Sequence, residues 1–252
     1  MDPGTFAARY DAVISEPRMR RLYGASGYFN VGYWAEGTTD LVAACDRLVD
    51  EVAAAVPPDA AVIIDVGCGL GAGTRRLADR FPRALVVGAN LSHWQLTAAR
   101  ERGVEQPVVM DAAWLAVGSG TADAVLAIES AQHFDTREAF FAETHRVLRP
   151  GGVLALADML FENADPIGPW MLPHDNRVTT VAGYARALED AGFTEVEVRD
   201  VTDVTWRPYC AAMRSVFGGH EDALRAIEQS LARYVLAFAK RAIRSGVSGS
   251  YQ

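Results

Sequence analysis

The residues of this chain that carry chemistry by type and spacing begin with Asp65, in the stretch VIIDVGCGLGAGT, followed at alternate positions by Gly67, Gly69, Gly71 and Gly73. The branched run Val62, Ile63 and Ile64 reads as a buried strand and the residues from Thr74 as a helix, so the glycines form the turn between them. Glycines spaced this way let a ligand lie against the backbone and permit the positive φ values of a tight turn. Asp65 narrows the choice of ligand. A carboxylate two residues before the first glycine repels the pyrophosphate of a dinucleotide and suits a cation. Gly67, Gly69 and Ala72 also satisfy the dinucleotide fingerprint, and such a turn can serve only to pack a helix on a sheet, so the glycines alone leave these readings open.

The elements that must position this turn follow from periodicity. Residues 5–23 read as one helix, with Phe6, Tyr10, Val13 and Ile14 at helical spacing, and residues 39–56 as a second that stops at Pro57-Pro58. Between them the aromatic stretch YGASGYFNVGYW reads as a loop that either plugs one end of the sheet or closes over a ligand and excludes water. Strands are expected over residues 62–64, 84–89, 107–110, 121–129, 152–157, 193–205 and 234–240. Helices fall between them over 92–102, 135–148, 180–191 and 207–233. A βαβ series implies a parallel sheet with helices on both faces and a ligand at the carboxyl ends of its strands. The apolar residues Trp206, Tyr209, Met213 and Phe217 are expected in the core, with a cap over the pocket as the alternative.

Composition removes several classes of function. The chain has 252 residues, a 50% hydrophobic content ample for a core, and a net charge of -8 that disfavours a nucleic-acid backbone as partner. A small-molecule substrate is favoured. Three cysteines without a C-x-x-C pair argue against a disulfide framework, and no apolar run is long enough to cross a membrane. The reading is a cytoplasmic protein with no nucleic-acid or membrane partner. A homodimer is compatible with the chain but not legible in it.

The motif D-x-G-C-G-x-G-x-G after a strand resembles the first motif of the class I S-adenosylmethionine-dependent methyltransferases, and the RVLRPGG turn over residues 146–152 resembles the end of their fourth-strand segment. The resemblance implies an α/β, Rossmann-like sheet of seven strands, the last antiparallel and inserted between the fifth and sixth, with an N-terminal helical lid. It implies one methyltransferase domain over residues 1–252: a lid over 1–60, a cofactor core over 61–165, and a substrate-side loop with the last helices and strands over 166–252. The cofactor would be S-adenosyl-L-methionine, whose ammonium and sulfonium suit Asp65.

Carried over residue by residue, Asp65, Gly67, Cys68 and Gly69 would hold the methionine part, with Tyr33, Glu129 and Ser130 beside them. Asn90, Leu91 and Gln95 would hold the ribose, although the family usually places an acid where this chain has Asn90, and Ser92 can serve merely as a helix cap. Asp111 and Ala112 would receive the adenine; alternatively Asp111 is an ordinary loop acid.

Methyl transfer to a neutral hydroxyl needs a base, and imidazole titrates in a suitable range. The resemblance assigns that role to His133, with Asp158 after the fifth strand as its partner; a histidine there can also merely cap a helix. Tyr28, Trp34, Phe134, Trp170 and His174 are candidates for binding substrate. His93, His145 and His220 read as surface or structural residues. No histidines or cysteines have metal-ligand spacing, so no metal is expected, but convergence of Asp135, Asp158 and Asp175 would permit one. The expected activity is O-methylation of a small aromatic or apolar metabolite in natural-product biosynthesis. Transfer to nitrogen or carbon, an NAD-dependent oxidoreductase, and a fold that binds the cofactor without transferring its methyl are the alternatives.

Overall fold

The computed structural model of the chain describes residues 3–168 and 171–243. Its strands are β1 (Val62–Val66), β2 (Leu85–Asn90), β3 (Gln106–Val109), β4 (Ala122–Ile128), β5 (Leu148–Phe161), β6 (Phe193–Asp200) and β7 (Leu231–Arg241). They form one sheet in the order β3-β2-β1-β4-β5-β7-β6. Neighbours from β3 to β5 are parallel, whereas β7 runs antiparallel to both β5 and β6. The chain builds one side of the sheet from β1 to β3 and the other from β4 onward, so a crevice opens where the two directions part.

Alternation along the strands sorts the core into two faces. Ile63 belongs to one apolar cluster and Ile64 to the other, as successive side chains of a strand point to opposite sides. The helices before the sheet are α1 (Pro3–Ser15), α2 (Pro17–Tyr23) and α3 (Leu41–Ala53). Those within it are α4 (Ala72–Arg80), α5 (His93–Glu101), α6 (Arg137–Val147), α7 (Val181–Asp190), α8 (Trp206–Val216) and α9 (Glu221–Ser230). In α3, Leu41, Ala44, Cys45, Leu48, Val49 and Val52 form one buried stripe against the first face, and Asp40 caps the helix by accepting the Ala43 N–H at 2.9 Å. Leu77 of α4 and Trp206 and Tyr209 of α8 join that face, while Phe140 and Phe141 of α6 and Tyr184 and Leu188 of α7 cover the other. The α8 aromatics are therefore core residues and not a cap.

Three expectations about the elements are corrected. The helix over residues 5–23 is two helices, because Pro17 cannot continue a helix and the Glu16 carboxylate caps the next by accepting the Arg18 and Met19 N–H groups at 2.7 and 3.1 Å. Strand β5 extends to Phe161 because β7 pairs with it along that length, a long-range pairing with no local signature. Asp158 consequently sits inside the strand. Strand β6 ends at Asp200 and is followed by a short helical turn, Thr202–Val204.

The turn after β1 needs glycine for two separable reasons. Gly67 has a φ of 78°, and a Cβ there would stand 2.3 Å from Ser130 Cβ. Gly37 has a similar φ of 84° but open space around it. Gly67→Ala is expected to lower unfolding stability by the backbone penalty of about 1–3 kcal/mol plus the overlap, and Gly37→Ala by the backbone penalty alone. Chemical denaturation of the two variants measures the difference.

Candidate active site

A cavity of about 460 Å³ lies at the carboxyl ends of β1 to β4. Asp65 lines it while only 4% exposed, accepts a hydrogen bond from Thr74 Oγ1 at 2.6 Å, and has its pKa pushed up to about 6 by burial. The Gly67 and Cys68 N–H groups both donate to the Ala89 carbonyl, and Ser130 Oγ donates to the Val66 carbonyl at 2.8 Å, so three strand ends are tied together around the glycine turn. At the end of β2, Asn90 Oδ1 accepts the Ser92 N–H at 3.0 Å and Asn90 Nδ2 donates to Gln95 Oε1 at 3.0 Å. Beyond β3, Asp111 Oδ1 accepts the Ala113 N–H at 2.8 Å in a turn that puts Ala112 on the cavity wall.

Glu129 closes the end of β4 with a φ of 53°, a left-handed conformation uncommon for a residue with a side chain. Its Oε1 accepts from the Val31 N–H at 2.8 Å and from the Tyr234 hydroxyl at 2.7 Å, and burial raises its pKa to about 7. These bonds tie the loop before α3 and strand β7 to the same wall.

His133 occupies a single helical turn after β4 and also lines the cavity. Its Nδ1 stands 2.7 Å from the Met171 carbonyl oxygen. A carbonyl can only accept, so Nδ1 carries the proton and Nε2 holds the lone pair, with Gln132 Nε2 3.3 Å away. The rings of Tyr10 and Phe6 pack on the imidazole at 5.0 and 5.8 Å. Burial lowers the His133 pKa to about 4, so it is neutral near pH 7.

The turn that carries His133 is held from behind. Asn176 Nδ2 lies 2.9, 3.0 and 3.1 Å from the carbonyl oxygens of Ala131, Gln132 and Phe134, and Asn176 Oδ1 accepts the Arg137 N–H at 2.7 Å. The Arg137 guanidinium donates to the Asn176 carbonyl and, through Nε and a second nitrogen, to the Asp158 carboxylate at 2.8 and 3.2 Å. Tyr184 also donates to Asp158, at 2.8 Å.

The expected partnership of His133 and Asp158 is thus corrected. Asp158 is fully buried within β5, is engaged by Arg137 and Tyr184, and lies outside the cavity lining, while a peptide carbonyl takes the place expected for it beside His133. Its placement also parts it from Asp135 and Asp175, which do line the cavity. Among the described residues, no group of three or more His, Cys, Asp or Glu side chains could hold a metal ion.

Tyr33 and Trp34 are corrected as well: neither lines the cavity. The Tyr33 N–H donates to the Ala44 carbonyl, the Trp34 N–H to the Val204 carbonyl and Trp34 Nε1 to the Val31 carbonyl, so backbone pairing turns this end of the loop onto α3 and the segment after β6. Tyr28 does reach the cavity, but its hydroxyl donates outward to Asp46 at 2.5 Å and leaves only the ring. Gly67, Cys68 and Gly69 line the cavity, as do Asn90, Leu91 and Gln95. So do Asp111, Ala112, Ser130 and Phe134. Trp170 and the His174 side chain lie outside the described residues.

An N-terminal helical lid was expected, but the residues with which α1 lines the cavity, Phe6, Tyr10 and Ile14, were not among the site candidates. Their signal was the helical spacing of apolar residues in the first helix, which equally describes a helix packed on a core.

Comparison with known proteins identifies the family. A family profile described as a methyltransferase domain matches residues 64–156. The chain is 33% identical over 205 residues to erythromycin 3''-O-methyltransferase of Saccharopolyspora erythraea, covering 72% of this chain and 67% of that protein. The chain belongs to the class I S-adenosylmethionine-dependent methyltransferases. Across 245 residues this methyltransferase is also 29% identical to 27-O-demethylrifamycin SV methyltransferase of Amycolatopsis mediterranei, covering 90% and 87% of the two chains. Its fold is shared with a geranyl diphosphate methyltransferase solved with GPP and sinefungin, at a TM-score of 0.78 and 23% identity over 96% of this chain and 99% of that one.

The residues of this methyltransferase fit its cofactor. Gly69, at a φ of 56°, has nothing within 4 Å of where a Cβ would stand, so the backbone there faces open space. Asp65 is a buried carboxylate with a hydroxyl donor and, among the described residues, no basic side chain paired with it, a donor set that accepts a cationic ligand.

Two measurements follow. Removing the carboxylate in Asp158→Ala leaves Arg137 buried and unbalanced, and is expected to reduce unfolding stability by about 3–5 kcal/mol in denaturant titrations. Because the Asp65 pKa is raised to about 6, a cation beside it is bound best once that carboxylate is ionised. Calorimetric affinity for S-adenosylmethionine is therefore expected to rise with pH up to about 6 and then level off, and Asp65→Asn is expected to flatten that rise.

Proposed function

We propose that this methyltransferase modifies a hydroxyl of a small, largely apolar natural product, with His133 as the general base. The observation that carries the reading is the His133 tautomer: the Met171 carbonyl fixes the proton on Nδ1, which leaves Nε2 as an acceptor in an aromatic-walled cavity near the glycine turn. The names of the two relatives support oxygen as the target and antibiotics as the substrate class, one being an erythromycin 3''-O-methyltransferase and the other acting on 27-O-demethylrifamycin SV.

Bound S-adenosylmethionine supplies a methyl carbon activated by positive sulfur. The protein supplies alignment and dryness. Asp65, the glycine turn, Asn90 and Asp111 would receive the cofactor's cationic, ribose and adenine parts from three adjacent strand ends. Phe6, Tyr10, Phe29 and Phe134 exclude water at the acceptor end. An acceptor hydroxyl would displace the long Gln132 contact and donate to Nε2, and its proton would pass to the imidazole as the methyl carbon exchanges its bond to sulfur for one to this oxygen, leaving an ether and S-adenosylhomocysteine. Burial disfavours the imidazolium, so it gives up its proton once the product leaves.

Incubation with S-adenosylmethionine and matched hydroxyl, amine and carbon-acid acceptors, followed by mass spectrometry, is expected to place the methyl on oxygen. Methylation confined to nitrogen or carbon refutes the oxygen reading. At saturating cofactor, His133→Ala is expected to lower kcat by about 10²–10⁴-fold. The parent should show no loss of kcat from His133 protonation down to pH about 5, because protonation is deferred to about 4. Near-normal turnover of the variant removes His133 as base.

A further inference from the structure

The end of β2 carries an amide where the family commonly has an acid, and the missing charge is found on another element. Asp11 of α1 accepts from Gln95 Nε2 at 2.6 Å through one oxygen and from Ser92 Oγ at 2.8 Å through the other. Gln95 Oε1 accepts from Asn90 Nδ2 at 3.0 Å, and Asn90 Oδ1 accepts the Ser92 N–H at 3.0 Å. The four residues close a ring. Asn90 and Gln95 line the cavity, whereas Asp11 does not.

We infer that Asp11 is a positioning residue that sets Asn90 for the cofactor's ribose and couples occupation of the cofactor site to the seating of α1. This rests on the methyltransferase assignment and not on the role proposed for His133.

The direction of polarisation supports the inference. A carboxylate accepting from the Gln95 amide shifts electron density toward Gln95 Oε1, which strengthens its bond from Asn90 Nδ2 and in turn makes Asn90 Oδ1 more negative. Asn90 Oδ1 has two lone pairs, and Ser92 occupies one. The other becomes a stronger acceptor for a ribose hydroxyl than an isolated amide would be. Part of the absent strand-end charge is thus delivered from outside the cavity.

The same carboxylate sits one residue from Tyr10, whose ring packs on His133 at 5.0 Å. Lifting α1 would remove the partner of Gln95, which is almost fully buried, and release the aromatic wall together with it. Coupling between two such events is reciprocal: a seated α1 raises cofactor affinity, and bound cofactor holds α1 down.

Calorimetry with S-adenosylhomocysteine tests this. Asp11→Ala is expected to weaken binding roughly tenfold, the size of a lost hydrogen bond to a charged group. Asp11→Asn, which keeps shape and loses charge, should fold like the parent and still bind several-fold more weakly. In the pair Asp11→Ala and Asn90→Ala, the second change should cost much less than it does alone, because both act through one acceptor. Hydrogen exchange across residues 3–15 should slow with S-adenosylhomocysteine in the parent and not in Asp11→Ala. Unchanged affinity in both Asp11 variants, with at most a lower melting temperature, overturns the inference, as do strictly additive losses in the double variant.

Discussion

A guanidinium and a carboxylate, both withdrawn from water, hold together the part of this enzyme that carries His133. Arg137 and Asp158 are 2% and 0% exposed, and ions so placed are tolerated only when their remaining valences are filled. Arg137 fills its own with the carbonyls of Met159 and Asn176. Asp158 fills its own with Tyr184 and the Met159 N–H. Because the pair spans the start of α6, the middle of β5 and the loop beyond it, three segments distant in sequence acquire one geometry. Asn176 then passes that geometry to the turn bearing His133. The imidazole is oriented at the far end of a chain of satisfied hydrogen bonds that starts at an ion pair it does not touch.

The donor side is organised by different physics. There the strand ends present backbone groups and short side chains around a glycine turn, and burial leaves Asp65 with a raised pKa, with no cation paired to it among the described residues. One half of the cavity is thus electrostatically complete without a ligand, and the other is arranged to be completed by one. The wall between the halves is Glu129, whose left-handed backbone and paired donors fix where the loop before α3 meets the sheet.

Local patterns in the chain made the sheet and the donor side legible. Ile63 and Ile64 revealed a strand buried on both faces, and Asp65 with its glycines revealed the turn. What escaped was set by contacts far apart in sequence. Asp158 was expected beside His133 on the family resemblance, yet Arg137 lies only four residues beyond His133 and competes for that carboxylate with full charge. Tyr33 and Trp34 are aromatic and close to the cavity in sequence, but the hydrogen bonds of their backbones turn them onto α3 and the segment after β6. Phe6 and Tyr10 were visible as a helical stripe. Nothing in a stripe says whether it meets a core or a cavity. Pro17 was a local cue that the first helix stops at Ser15.

The placement of β7 bears on how the molecule is made. Strand β6 leaves the ribosome before β7, its neighbour in the sheet, and more than two dozen residues of helix and loop must follow before β7 can slide between β5 and β6. Until then one edge of β5 and all of β6 lack backbone partners, and Tyr234 is not yet there to donate to Glu129. Nascent chains stalled before β7 would carry the glycine turn but an unfinished wall beside it, with open strand edges of the kind that chaperones recognise and that seed aggregation.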